Sequence, residues 1–140
     1  MLAESHAAQS FRLTTVITPE GHVRYVVVNA EGSIVQPVAG YLRYLDDVGK
    51  ARNTLRVYGL GLAHYFAYLG EKDLDYRSAG VRARAWFVAW LKRPKQVRQL
   101  QLGRSVYQAR SNTTINLYLT AVSGFYDYLF RTDGGELRFD

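Results

Sequence analysis

The hydrophobic pattern of this 140-residue chain changes period once, and that change limits the folds open to it. Before Pro37 apolar side chains follow a strand-like pattern; after it they recur every three or four residues, the spacing of a helix face. Residues 11–17 and 22–28 are short, β-branched runs on either side of Thr18-Pro19-Glu20-Gly21, a turn composition. Together they predict a β-hairpin region over 11–36, with a second turn at Asn29-Ala30-Glu31-Gly32 and a short third strand at Ser33–Val35. A lone hairpin is marginal in water, so this one has to rest on another element.

Four helices are expected over 37–133. The first starts at Pro37, carries Val38, Tyr41, Leu42, Leu45 and Val48 on one stripe, and ends at Gly49. The second runs from Arg52 to Leu69 with Leu55, Tyr58, Leu62, Phe66 and Leu69 on its apolar face and Gly70 as its stop. Gly59 and Gly61 each lower its intrinsic stability by about 1 kcal/mol against alanine, and close approach of a neighbouring element is the reading that accounts for them. Ser78 is the expected N-cap of the third helix, Trp86, Phe87, Trp90 and Leu91 its apolar bulk, and Pro94 its end. Residues 95–110 read as a long basic, glutamine-containing connection. The fourth helix follows a Ser111 N-cap, with Ile115, Leu119, Val122, Tyr126 and Leu129 as its buried stripe. Residues 1–10 are expected to be a flexible N-terminus and 134–140 the start of a linker.

Charge is distributed unevenly along this plan. Residues 1–48 hold three basic and five acidic side chains, a net of −2; residues 49–140 hold fifteen and seven, a net of +8. Between Asp75 and Asp127 there is no acidic residue, while nine arginines and lysines occur. A one-signed stretch of this length suits a polyanionic partner. The chain has no cysteine, which excludes a disulfide scaffold and cysteine-bound zinc and suits a reducing cytoplasm. Its most apolar stretch, Tyr58–Leu69, is too short to cross a bilayer, so no membrane partner is expected.

Catalytic patterns are missing. There is no phosphate-binding Gly-x-x-x-x-Gly-Lys loop, no His-Glu-x-x-His and no Gly-x-Ser-x-Gly, and His6, His22 and His64 are scattered. No metal, cofactor or catalytic residue is assigned, and the chain by itself is not read as an enzyme. Asp73 and Asp75 read as solvated loop acids, and Asp46 and Asp47 sit at a helix C-terminal end, where the dipole disfavours them. The positive signal is a pair of similar helix starts, Arg52-Asn53-Thr54-Leu55-Arg56 and Arg110-Ser111-Asn112-Thr113-Thr114-Ile115-Asn116. First-turn N–H groups and the helix dipole favour phosphate, arginine and asparagine read base edges, and serine and threonine bond phosphates or simply cap. The candidate double-stranded DNA contacts are Lys50, Arg52, Asn53, Thr54, Arg56, Arg104, Arg110, Ser111, Asn112, Thr113 and Asn116, with Thr113, Asn116 and Thr120 on one polar face.

Two runs carry a family resemblance. Thr54-Leu55-x-x-Tyr58-x-x-x-Leu62-x-x-x-Phe66-x-x-Leu69 resembles the second helix of the core-binding domain of phage-integrase-type tyrosine recombinases. Thr114-Ile115-x-x-x-Leu119-x-x-Val122-x-x-Phe125-Tyr126-x-x-Leu129 is similar to that domain's fourth helix, and the stretch from Val26 through Leu45 is similar to integrase and transposase relatives that begin with a hairpin. The resemblance implies a mainly α fold, a SAM-like four-helix core-binding bundle preceded by a β-hairpin, lying across one side of duplex DNA as half of a clamp. It implies a tyrosine recombinase parent whose catalytic domain follows residue 140, a tetramer on DNA in the full-length protein and a monomer as this fragment. One departure is that relatives often carry serine where Ala51 stands. A second reading is a helical protein-interaction module for recombinase oligomerisation, with Tyr44, Tyr68 and Tyr128 as exposed anchors.

Overall fold

A computed structural model of the chain describes residues 10–93, 95–99, 104–108 and 110–132, the strands at 95–99 and 104–108 by their backbone alone. The expected linker at 134–140, and all but the last residue of the expected flexible N-terminus, lie outside the described residues. Strands β1 (Arg12–Ile17) and β2 (Val23–Val28) pair antiparallel from Arg12 opposite Val28 to Ile17 opposite Val23. Gly21, at a φ of +84°, closes their turn and donates to Thr18 O at 2.8 Å. The expected third strand is reduced to a bridge between Val28 and Ile34 and one bond, Val35 N to Val27 O at 2.8 Å.

Four long helices follow: α1 (Gln36–Asp47), α2 (Arg52–Glu71), α3 (Val81–Lys92) and α4 (Asn112–Thr132). Pro37 occupies the first turn of α1, where its missing N–H costs nothing. Gly49, at φ +91°, ends α1 by letting Lys50 N reach Leu45 O and Gly49 N reach Asp46 O, both at 3.0 Å. The fold is therefore the mainly helical bundle with an N-terminal hairpin that the sequence implies, with one addition. Where a connection was expected over 95–110, two further strands, β3 (Lys95–Gln99) and β4 (Arg104–Gln108), form an antiparallel ribbon of their own.

Helix α2 is the hub. It packs against both strands of the first hairpin, α1, α3 and α4. Leu55, Leu62, Tyr65, Phe66, Tyr68 and Leu69 are buried along it. The core around them is largely aromatic: Tyr65 meets Phe87 edge-on at 5.1 Å, and Phe66 meets Phe125 at 6.0 Å. Such pairs contribute about 0.5–1.5 kcal/mol beyond the area they bury. Tyr126 donates to Tyr76 O at 2.8 Å and lies 2.7 Å from the Tyr65 hydroxyl, so the polar tips of these rings are satisfied inside the core. Both helical glycines mark close approaches. A Cβ on Gly61 would stand 3.0 Å from Tyr118 Cα of α4, and one on Gly59 would strike the Leu13 side chain of β1.

Four local expectations are corrected. Gly70 lies inside α2; the helix ends one residue later at Glu71, with Asp73 in the left-handed region at φ +56° and Leu74 N bonding Leu69 O at 2.9 Å. Ser78 does not cap α3, because Asp75 takes it into a turn: Arg77 N bonds Asp75 Oδ1 at 2.9 Å and Ser78 N bonds Asp75 O at 3.1 Å. Gly80 stands at the N-cap instead, without a side-chain bond. Trp86 is 57% exposed, since Ala83, Phe87 and Leu91 form the buried stripe of α3. Tyr68 is fully buried against Tyr65, Phe87 and Trp90 and so is not a surface anchor.

Candidate nucleic-acid interface

The first helix start is built on an exposed corner. Ala51 precedes α2 in an extended conformation without a side-chain cap, and its carbonyl accepts the first helical bond from Leu55 N at 3.1 Å. No acidic residue lies in the first turn. The N–H groups there keep their attraction for an anion. Lys50 is exposed just before the helix. Asn53 Oδ1 accepts from Arg56 Nε at 3.1 Å and from Nη2 at 3.0 Å, which holds an exposed guanidinium against a neutral acceptor. Thr54 is half-buried.

Arg52 is placed differently. Its guanidinium sits 5.0 Å above the Tyr25 ring of β2, and Nη1 is 3.5 Å from Asp46 Oδ2. The same carboxylate lies 2.8 Å from His22 Nε2 and 3.2 Å from Arg24 Nη1, while Asp47 lies 3.4 Å from Arg24 Nη2. The hydrogen bond from His22 does most to hold the Asp46 carboxyl below the usual range; burial opposes this, and the charges of His22, Arg52 and Arg24 add to the lowering. The two acids that looked misplaced at the end of α1 therefore clamp the hairpin to the bundle.

The second helix start is capped. Ser111 Oγ accepts from Thr114 N at 3.1 Å and donates to Thr114 Oγ1 at 3.0 Å. Arg110 is half-buried; its Nη1 donates to Leu91 O at 3.1 Å and its guanidinium lies 6.0 Å from the Trp90 ring centroid. It thus satisfies a carbonyl at the end of α3. Asn112, Thr113 and Asn116 are exposed. A shallow groove of about 490 Å³ runs along the face of α4 from Asn116 and Thr120 to Asp127. Arg104 opens β4, opposite Gln99.

The candidates thus fall into groups. Asn53 joins Arg56, Ser111 joins Thr114, Arg52 joins the hairpin and α1, and Arg110 joins the end of α3. Sequence reasoning missed the partners of Asp46 and the ribbon at 95–108. In β3 and β4 only Val97, Val106 and Tyr107 are apolar, too few among lysine, arginine and glutamine to show an alternation. Among the described residues no group of three His, Cys, Asp or Glu side chains could hold a metal, and no helix is long and apolar enough to cross a membrane.

The described residues thus form a mainly helical bundle with a hairpin before it and polar, cationic helix starts at its surface. Residues 38–133 match the family model for the phage integrase N-terminal SAM-like domain, and the chain belongs to that family. It is also 30% identical over 107 residues to Transposase A from transposon Tn554 of Staphylococcus aureus strains Mu50 and N315. That match covers 76% of this chain and 29% of the relatives' length. No solved structure matches the chain.

Proposed function

We propose that this domain binds duplex DNA as half of a clamp in a site-specific tyrosine recombinase, in the cytoplasm, while a separate domain of the same protein cleaves and rejoins strands. The observation that carries the reading is the coincidence of two facts: membership of the integrase SAM-like family over 38–133, and nine cations with no acid between Asp75 and Asp127 in the same span. In this reading Lys50, Arg56 and the α2 N-terminus hold phosphate, with Arg52, Asn53 and Thr54 beside them. Arg110 and Ser111 position the start of α4, so that Asn112, Thr113 and Asn116 meet the groove. The parent acts as a tetramer on DNA, whereas this fragment is a monomer.

The test is a salt titration of DNA binding. Log affinity is expected to fall linearly with log salt, by about 0.9 per phosphate neutralised. Asn116→Ala is expected to change preference between sequences rather than overall affinity. Affinity independent of salt overturns the reading.

A protein-interaction role is favoured by one feature. Tyr44, 45% exposed, and Tyr128 line a cleft of about 290 Å³ between α1 and α4. Oligomers that persist in sedimentation without DNA would select that role.

A further inference from the structure

Between α3 and α4 lies a two-stranded ribbon that, among the described residues, joins no other sheet. β3 pairs only with β4, in the register Lys95–Gln108, Val97–Val106 and Gln99–Arg104 on one face, with Gln96–Tyr107 and Arg98–Ser105 on the other. Among the described residues neither strand packs against another element. A hairpin of this kind is marginal in water unless something covers it. Its composition is too polar for a second hydrophobic core as the cover. One face has a single apolar pair, Val97 with Val106, flanked by a lysine and an arginine, and the other sets the lone ring of Tyr107 among Gln96, Arg98 and Ser105.

The charge selects the partner. Lys95, Arg98 and Arg104 all fall within the acid-free stretch, and the register assigns a cation to each face of the ribbon and an acid to neither. Five residues per strand span about 16 Å, and a two-stranded ribbon fits the DNA major groove, about 12 Å wide. Glutamines 96, 99 and 108 supply donors and acceptors suited to base edges. The ribbon's base is anchored where DNA contact is proposed: Arg110, two residues after β4, donates to Leu91 O near the end of α3, and the exposed Asn112 and Thr113 follow directly.

We infer that the β3–β4 ribbon is a separate DNA-contacting element that enters the major groove next to the start of α4. This rests on the DNA-binding reading above, which counts the ribbon's cations, and adds where on the duplex they act. The test compares the whole chain with a variant carrying Lys95→Ala, Arg98→Ala and Arg104→Ala. The variant is expected to melt at the same temperature, because among the described residues the ribbon meets no other element. The slope of log affinity against log salt should shrink by about 2.7, at about 0.9 per phosphate contact. Protection of guanine N7 in the major groove, seen with the unaltered chain, should be lost over part of the site. An unaltered chain with no salt-dependent binding overturns the DNA reading itself. An unaltered chain that binds while the variant keeps its slope and footprint overturns only the ribbon. Loss of self-association, with DNA binding intact, assigns the ribbon to a second copy and also overturns the inference.

Discussion

Replacing glycine by alanine at two positions of α2 should give opposite effects. At Gly61 an added Cβ would stand 2.8 Å from Tyr118 Cδ1 and 3.0 Å from Tyr118 Cα. Comfortable carbon contacts lie at about 3.5–4.0 Å, so α4 must retreat by about half an ångström or more. The Cα is backbone and cannot rotate away. Overpacking of this kind costs about 1–3 kcal/mol. Alanine returns about 1 kcal/mol of helix propensity. The net expectation for Gly61→Ala is a loss of about 1 kcal/mol. Gly70 lies in the same helix but is exposed, so Gly70→Ala should collect the propensity gain alone, about 0.5–1 kcal/mol. The two variants should therefore differ by nearly 2 kcal/mol, or about 4–8 °C in melting temperature for a chain of this size. Urea unfolding at unchanged m-value, alongside thermal melts, measures this. Because Gly61 sets the spacing of α2 and α4, DNA affinity should also fall in Gly61→Ala and stay constant in Gly70→Ala. A Gly61→Ala protein as stable as Gly70→Ala would refute the argument that this glycine exists for helix contact.

Two more expectations concern charge. The Asp46 carboxyl is held below its ordinary value in the folded state, so its ion pairs stabilise the fold above the unfolded value of about 3.9 and cease to do so as pH falls through the folded one. Asp46→Asn should lower stability near neutrality and lessen the acid-induced loss below about pH 4, as read from unfolding curves across pH; identical acid limbs would rule the pairing out as a source of stability. Arg56 and Arg52 should separate in DNA binding. Arg56→Ala should reduce the salt slope by about 1, whereas Arg52→Ala should reduce it less and lower the melting temperature, and equal effects would show that Asp46 does not engage Arg52.

The periodicity was enough to place the helices, because each carries at least one continuous apolar stripe. Pro37 and Gly49 punctuate α1 as their chemistry requires. The failures have a common cause. Gly70 and Ser78 are good stop and start residues, but Asp73 and Asp75 claimed the backbone positions first through a left-handed cap and an aspartate turn. A single sequence does not rank competing caps. The ribbon at 95–108 was hidden by composition, since strands without an apolar face carry no alternation to read. Tyr68 was misread as exposed because α2 is contacted on several sides, and a helix at the centre of a bundle buries more than one stripe. The helix starts themselves were legible as sequence. Their different settings, one tied through Asp46 and the other through Leu91 O, depend on contacts between residues far apart in the chain.

Those settings bear on how charge can act. Asp46 is shared by His22, Arg24 and Arg52, so the cation nearest the start of α2 is already partly neutralised, and a phosphate arriving there competes with a carboxylate. Arg56 is held by the amide oxygen of Asn53, which orients the guanidinium without cancelling its charge. Arg110 is likewise held by a neutral carbonyl and a ring face. A guanidinium fixed by neutral acceptors loses less side-chain freedom on meeting an anion and keeps its full field. A formal count of basic residues therefore overstates what Arg52 offers a duplex. Its larger role is to join the hairpin to α2, and the hairpin in turn packs Leu13 into the space that Gly59 leaves open. The start of α2 is thus tied to the hairpin, whose own residues carry a net charge near zero.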